Sequence, residues 1–290
     1  MIIDVPKEFS YEQNLQFLKR SPKEVLHRVE DDGVVKLLSV GGEMILFKVM
    51  ESTKGLSVDF LNGNFSSSSQ KYIENFVREW FDLETDLLPF YKLAKKDALL
   101  KDLVKKYYGY RIIGQPDLFE SLVWAVLGQQ INLQFAYRLK QRFVENFGEK
   151  LLWKDQHYFL FPSPQRVAGL KDTDLLPLQF SQQKSKYTVN IAEAFVRGSI
   201  SKEKLKGMPF QEAKEILMTI KGVGNWTANY ALMKTFRYPD AFPLEDAGVH
   251  NAIKNLKKMK KKPTLDQVMR VFKNYKGWEA YSTLYLWKSL

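Results

Sequence analysis

The residues with the most chemical content lie between Glu215 and Ala228, where the chain reads Glu-Ile-Leu-Met-Thr-Ile-Lys-Gly-Val-Gly-Asn-Trp-Thr-Ala. Apolar residues at helical spacing run up to Ile220, Gly222-Val223-Gly224 turns the chain, and a second helix opens at once with Asn225 or a neighbour as its cap. Glycines at such a turn admit positive φ and let another backbone come close. The N–H groups of the turn and of the helix start then point outward together, an anion site made of main chain alone. Lys221 adds a cation at the same spot. The bland alternative is an αα-turn with Gly at the C-cap. Ile220 before the glycines and Thr227-Ala228 after them favour a phosphate-gripping hairpin over about 211–235.

The elements that must hold this hairpin are mostly helices. Asp117 is a good N-cap for Leu118 to Leu127, Gly128 interrupts, and a helix resumes from about Leu133 to Phe147. After the break at Pro162-Ser163-Pro164, short helices are expected around 164–170, 184–197, 211–219, 225–235, 247–257, 264–274 and 277–288. The first part of the chain reads differently. Two β-rich runs, Val34–Val40 and Met44–Val49, flank Gly41-Gly42 as a hairpin, and Leu56–Phe60 alternates like a third strand. A helix with apolar Ile73, Phe76, Val77, Trp80 and Phe81 follows. The expected organisation is an α+β domain over 1–88, a small antiparallel sheet with helices, then an all-α region over 89–290.

Charge divides the chain in the same way. The protein carries 44 Lys+Arg against 33 Asp+Glu, a net +11. Residues 1–88 hold 15 acidic and 10 basic side chains, net −5, so 89–290 carries +16. A basic surface on one part only raises nucleic acid as a partner. The densest run, Lys254 to Lys262, reads equally well as a solvated helix end. The cysteine count is 0, which removes disulfides, thiolate zinc, iron–sulfur clusters and cysteine nucleophiles. The three histidines, His27, His157 and His250, are widely spaced and offer little to zinc. No apolar run approaches a membrane span and no secretion signal opens the chain, so a soluble intracellular protein is expected.

The stretch Leu217-x-x-Ile220-Lys221-Gly222-Val223-Gly224-x-Trp226-Thr227-Ala228 resembles the helix-hairpin-helix motif of the DNA glycosylases of base excision repair. Phe242-Pro243-Leu244-Glu245-Asp246-Ala247-Gly248-Val249 is similar to the segment that carries that family's catalytic aspartate, and Asp246 lies 22 residues past Gly224. Leu127-Gly128-Gln129-Gln130-Ile131-Asn132, Pro164-Gln165-Arg166 and Tyr285-Leu286-Trp287 look like the bacterial 3-methyladenine DNA glycosylase II branch. The resemblance covers most of 1–290 and is strongest at 115–250.

The resemblance implies a set of roles. Asp246 would stabilise the cationic deoxyribose and orient the attacking water, while also capping the 247–257 helix. Gln130 would wedge into the base stack once a nucleotide is flipped out, the alternative being a plain loop glutamine. Trp226, Tyr230, Trp287 and Trp124 would line the base pocket, with Phe119 beside them. Aromatic faces there would attract the positive charge of an alkylated purine. Lys221, Gly222, Val223, Gly224 and Thr227 would face DNA. Main-chain carbonyls of Met218, Ile220 and Val223 would hold a structural Na+ or K+, and no organic cofactor is implied.

Bifunctional relatives carry a lysine two residues after the second glycine; here that position is Trp226, which implies hydrolysis without lyase activity. Glu245 is a bystander, His250 is solvated or phosphate-facing, and Glu279 stands where the family has arginine, at the pocket rim or in a lost salt bridge. The expected partner is double-stranded DNA with a damaged base, bound by a cytoplasmic, nucleoid-associated monomer with no membrane contact. The alternatives are the same fold acting on oxidised or deaminated purines, a damaged-DNA binding module that does not cut, and a basic protein-interaction domain.

Overall fold

The computed structural model describes residues 1–290. Its first part is a five-stranded antiparallel sheet with spatial order Ile2–Ile3, Gly55–Phe60, Glu43–Ser52, Gly33–Val40, His27–Val29. The central hairpin pairs Val40 with Glu43 across a two-residue Gly41-Gly42 turn, as the sequence implies. Alternation along these strands buries two faces. Val34, Ile45, Phe47, Val49, Leu56 and Val58 pack against Ile73, Val77 and Trp80 of helix Ser67–Trp80. Val35, Leu37 and Leu46 face the other way and meet Tyr158.

Tyr158 comes from a feature that the sequence reading missed. Strands Lys150–Trp153 and Gln156–Phe159 form a hairpin inside the part expected to be all helix. Its turn residues Lys154 and Asp155 both take positive φ, a conformation that Asn-Gly pairs usually advertise and Lys-Asp does not. The remainder of 89–290 is helical and packs around a separate core of 45 buried residues, against 15 for the sheet core. Asp117, Asn132 and Asp246 cap their helices with side-chain oxygens.

The two parts are joined by buried polar contacts. Arg111 is fully buried, donates to the Asp82 carbonyl at 2.6 Å and pairs with Glu8 at 3.1 Å. The Tyr281 hydroxyl donates to Asp82, and Asn14 bonds the Gly109 carbonyl at 3.0 Å. No helix is long and apolar enough to cross a membrane.

Candidate active site

The hairpin joins helices Phe210–Met218 and Asn225–Phe236. Gly222 sits at φ +107, and a Cβ there would lie 2.3 Å from Cγ of Tyr187, so both the turn and the close approach exclude a side chain. Lys221 and Gly224 are exposed, but Val223, expected to face DNA, is buried as an apolar plug and its amide donates to the Ile220 carbonyl. The amides of Gly222, Gly224, Asn225 and Trp226 donate to no protein acceptor, and no side chain caps the second helix. Free donors along the turn and at the helix start, with Lys221 beside them, can present a site for phosphate. On the carbonyl side, Met218 and Val223 accept no hydrogen bond and Ile220 accepts one, from the Val223 amide at 2.9 Å.

A second loop stands next to the hairpin, between helices Leu118–Gly128 and Leu133–Phe147. Gln130 is its exposed tip and takes φ +57. Gln129 turns inward instead: its Nε2 donates to the Gly222 carbonyl at 3.2 Å and to Thr227 Oγ1 at 3.0 Å. This corrects the expectation for Thr227. Its side chain is 1% exposed and its hydroxyl ties the two loops together rather than facing outward.

Asp246 lies where the second hairpin helix meets the last helix of the chain. Its Oδ1 accepts from the Val249 amide and from Trp287 Nε1, both at 2.8 Å, and its Oδ2 accepts from Trp226 Nε1 at 2.8 Å. One carboxylate therefore caps the helix and at the same time accepts from two indoles. Trp226 stacks on Tyr230 with ring centres 5.4 Å apart, Trp287 lies 6.3 Å from Tyr230, and Trp124 Nε1 donates to the Tyr230 hydroxyl at 2.9 Å. The four aromatics assigned to the pocket thus form one cluster, in which Trp226 and Trp287 reach Asp246 directly and Tyr230 and Trp124 back them. Phe119 does not: it is in the helical core, edge-on to Phe161 and Phe195.

Three neighbouring residues find other tasks. Glu245 accepts from Asn225 Nδ2 on both oxygens at 3.0 Å, which ties the segment before Asp246 to the hairpin. His250 is neither solvated nor phosphate-facing; its ring nitrogens meet the Pro263 carbonyl at 3.1 Å and the Leu244 carbonyl at 2.9 Å. Glu279 opens helix Glu279–Lys288, eight residues before Trp287 and so about 12 Å along the helix from the pocket. It makes no ion pair, and burial beside Asp240 raises its pKa.

Sequence reasoning missed several supports of this site. Gly248 is one: a Cβ there would meet Asp246 Oδ1 at 2.9 Å and the Trp287 ring at 3.0 Å, so glycine lets the indole reach the carboxylate. A glycine in the first turn of a helix was the available signal. Behind the pocket, Tyr137 packs on Trp124 at 4.8 Å and accepts from Arg20 of the first domain. Lys140 lies 5.2 Å from the Trp124 ring centre and pairs with Glu24 at 2.7 Å. Burial opposes the charge on Glu24, but Lys140 and His27 more than offset it and hold the carboxyl at about 2. These groups surround a cavity of about 50 Å³ shared with Lys36, Lys234 and Tyr230. Lys140 was visible as a charge on an otherwise apolar stripe with Ala136, Tyr137, Phe143 and Val144.

The join between the two halves defines the class. The helix that begins at the phosphate-facing turn carries, at its second residue, the indole that holds the carboxylate. Such a molecule grips a polyanionic backbone and acts at a fixed distance from it, the plan of a helix-hairpin-helix DNA-repair enzyme.

Comparison with known proteins agrees. Residues 123–277 match the model of the HhH-GPD superfamily base excision DNA repair proteins, and 6–122 match an 8-oxoguanine DNA glycosylase N-terminal domain model. A DNA-3-methyladenine glycosylase of Bacillus subtilis is 42% identical over 100% of this chain and 97% of its own. Two solved structures share the fold. A 3-methyladenine DNA glycosylase from Archaeoglobus fulgidus aligns with TM-score 0.86 at 22% identity, over 99% of this chain and 96% of its own. An 8-oxoguanine glycosylase/lyase from Clostridium acetobutylicum aligns with TM-score 0.76 at 19% identity, over 100% and 99%. The chain belongs to the HhH-GPD superfamily of base excision DNA repair proteins. Within it, the chain groups with DNA glycosylases of the 3-methyladenine type.

Proposed function

We propose that this protein hydrolyses the N-glycosidic bond of alkylated purines in duplex DNA and leaves an abasic site with the strand intact. One observation carries the reading: Asp246 is held by two indole N–H groups and a main-chain amide, with no amine among its partners. A lysine nucleophile would attack the sugar and nick the strand; the position facing the carboxylate is Trp226. Asp246 instead places negative charge beside a deoxyribose that becomes cationic as the bond breaks, and orients the water that attacks it. The π faces of Trp226, Tyr230 and Trp287 attract a cationic base by about 0.5–2 kcal/mol. Such a base leaves neutral, so the site needs no strong general acid.

The same reading assigns the rest of the machinery. Free amides of the hairpin and Lys221 hold a phosphate, and Gln130 fills the stack behind the flipped nucleotide. The carbonyls of Met218, Ile220 and Val223 fit a Na+ or K+ ion, since two of the three have no hydrogen bond to give up. Bound there, the ion would add positive charge under the phosphate. Residues 1–88 brace the pocket from behind and 89–290 meets DNA. One chain supplies every part, so the enzyme works as a monomer on duplex DNA in the cytoplasmic nucleoid.

The test is base release from methylated duplex DNA by wild type and Asp246→Asn. Wild type releases 3-methyladenine and 7-methylguanine and leaves the strand uncut until alkali is added; the variant falls about 100- to 1,000-fold. Absence of release by wild type, an equally active variant, or nicking without alkali overturns the proposal. A second reading, release of deaminated or oxidised purines, is favoured by Arg20 and Lys140 beside the cavity behind the pocket. A neutral purine leaves as an anion, which cations behind the pocket would stabilise. A panel of lesion duplexes separates the two readings.

A further inference from the structure

We infer that Lys184 is a positioning residue for DNA opening: it fixes the loop that carries Gln130 at a set distance from the phosphate-gripping hairpin. The inference rests on the glycosylase reading above. Lys184 belongs to helix Gln182–Val196, which touches neither Asp246 nor the pocket aromatics through any hydrogen bond or ring contact. Its side chain is buried, and its Nζ donates to three carbonyls: Val126 at 2.9 Å, Leu127 at 2.9 Å and Gln129 at 2.7 Å. The first two belong to the last turn of helix Leu118–Gly128, where the Val126 carbonyl also accepts from the Gln129 amide at 3.2 Å and no further helical turn follows. The third belongs to the residue just before the tip. An ammonium there also faces the negative end of the helix dipole. All three donors of the ammonium are used, so the group is fixed in place.

The same helix reaches the hairpin. Steps of three residues put Lys184, Tyr187 and Asn190 along one face. Tyr187 packs its ring against Gly222, so closely that no Cβ fits between them. Asn190 Nδ2 donates to the Lys221 carbonyl at 3.2 Å. Gln129 closes the circuit by donating to the Gly222 carbonyl and the Thr227 hydroxyl. One helix therefore splints two loops that must meet DNA at the same time. Gln130 occupies a backbone conformation that L side chains rarely adopt, and the Gln129 carbonyl held by Lys184 sets where that strained residue begins. Burial alone pushes the Lys184 pKa down to about 8, and no charged group on a neighbouring element contributes to the shift. The splint thus loses its charge just above neutral pH.

A wedge matters only where a base pair must be opened. The experiment compares one methylated strand, annealed and single-stranded, under single-turnover conditions with wild type, Lys184→Met and Lys184→Arg. Lys184→Met is expected to lower the duplex rate about tenfold or more while the single-strand rate stays within about twofold. In wild type the duplex-to-single-strand ratio falls as pH rises through about 8; in Lys184→Arg, which stays charged, the ratio is flat with pH. If Lys184→Met lowers both rates equally, or changes neither, the inference is overturned. If Lys184→Met does not fold, a wild-type ratio that is constant from pH 6.5 to 9.5 overturns it as well. Failure of wild type to release base from either substrate would instead sink the glycosylase reading.

Discussion

The hairpin and the pocket share a helix, but their polar groups are in opposite states. At the hairpin, a run of amides and the carbonyls of Met218 and Val223 have no protein partner, and the side chains are small, exposed or turned inward. In the pocket, the carboxylate of Asp246 already has three donors, and the Tyr230 hydroxyl is engaged by Trp124. The first is a socket that waits for its ligand; the second is pre-organised around a charge that the reaction will need. Binding energy collected at the open site can hold a distorted duplex. On the proposed reading, the closed site contributes only once the sugar begins to develop positive charge, which is where rate acceleration comes from.

This contrast predicts separable failures. The largest concerns Gly222, where alanine would need positive φ and would collide with Tyr187. Gly222→Ala should lower stability by about 1–3 kcal/mol and weaken duplex binding tenfold or more. The single-turnover rate at saturating enzyme should stay within about threefold. Thermal denaturation, a binding titration and a rate at saturation check the three parts. A variant that binds normally and reacts slowly would erase the distinction between the two regions.

The two regions also differ in how far the sequence reveals them. The hairpin is legible because a turn constrains residue type directly: only glycine suits Gly222, and an inward plug suits Val223. Asp246 is legible through its spacing and its role as a helix cap. The pocket walls are less so. Trp226 and Tyr230 follow from the helix that carries them, but Phe119 and Trp124 lie five residues apart on one helix, and only tertiary packing sends the first to the core and the second to the pocket. Tyr137 and Lys184 act through contacts that are distant in sequence, which no local pattern announces. The 150–159 hairpin was hidden for a local reason, a turn built from Lys-Asp.

The next prediction probes the closed region. Trp226→Phe keeps an aromatic ring to stack on Tyr230 and removes the N–H that reaches Asp246 Oδ2. A hydrogen bond to a charged group contributes about 1.5–3 kcal/mol. The rate of base release should fall about 10- to 100-fold while affinity for undamaged duplex stays within about twofold. Equal losses in rate and affinity would mean that the indole serves DNA binding rather than the carboxylate.

Acid should loosen the pocket from behind while sparing the hairpin. Burial lowers the His27 pKa to about 4, opposed by the Glu24 carboxylate and reinforced by the Lys36 charge. A histidine kept neutral in the fold stabilises it fully above its unfolded pKa near 6.5, and that contribution fades as pH drops towards 4. The loss is at most about 3 kcal/mol. Glu24, held at about 2 in part by His27, begins to cost stability only below its ordinary 4.5, so the decline above that pH belongs to His27. The melting temperature should therefore fall between pH 6.5 and 4.5, and His27→Gln should flatten that decline. A wild-type melting temperature that is level over this interval would show that the junction does not respond to His27.

The smallest effect belongs to Lys221, and it shows whether the open region is main chain or side chain in character. Lys221 is exposed, its carbonyl accepts from Asn190, and its ammonium has no protein partner. If its charge adds one phosphate contact beside the free amides, Lys221→Ala should reduce the salt dependence of duplex binding by about one unit of slope. The loss in affinity at physiological salt should be only a few-fold, because the amides remain. A larger loss, with the slope reduced by several units, would mean that the lysine organises the phosphate site and that the free amides follow it. An unchanged slope would leave the grip to the backbone alone. In that case the hairpin recognises phosphate through geometry, which no side-chain substitution outside the glycines can remove.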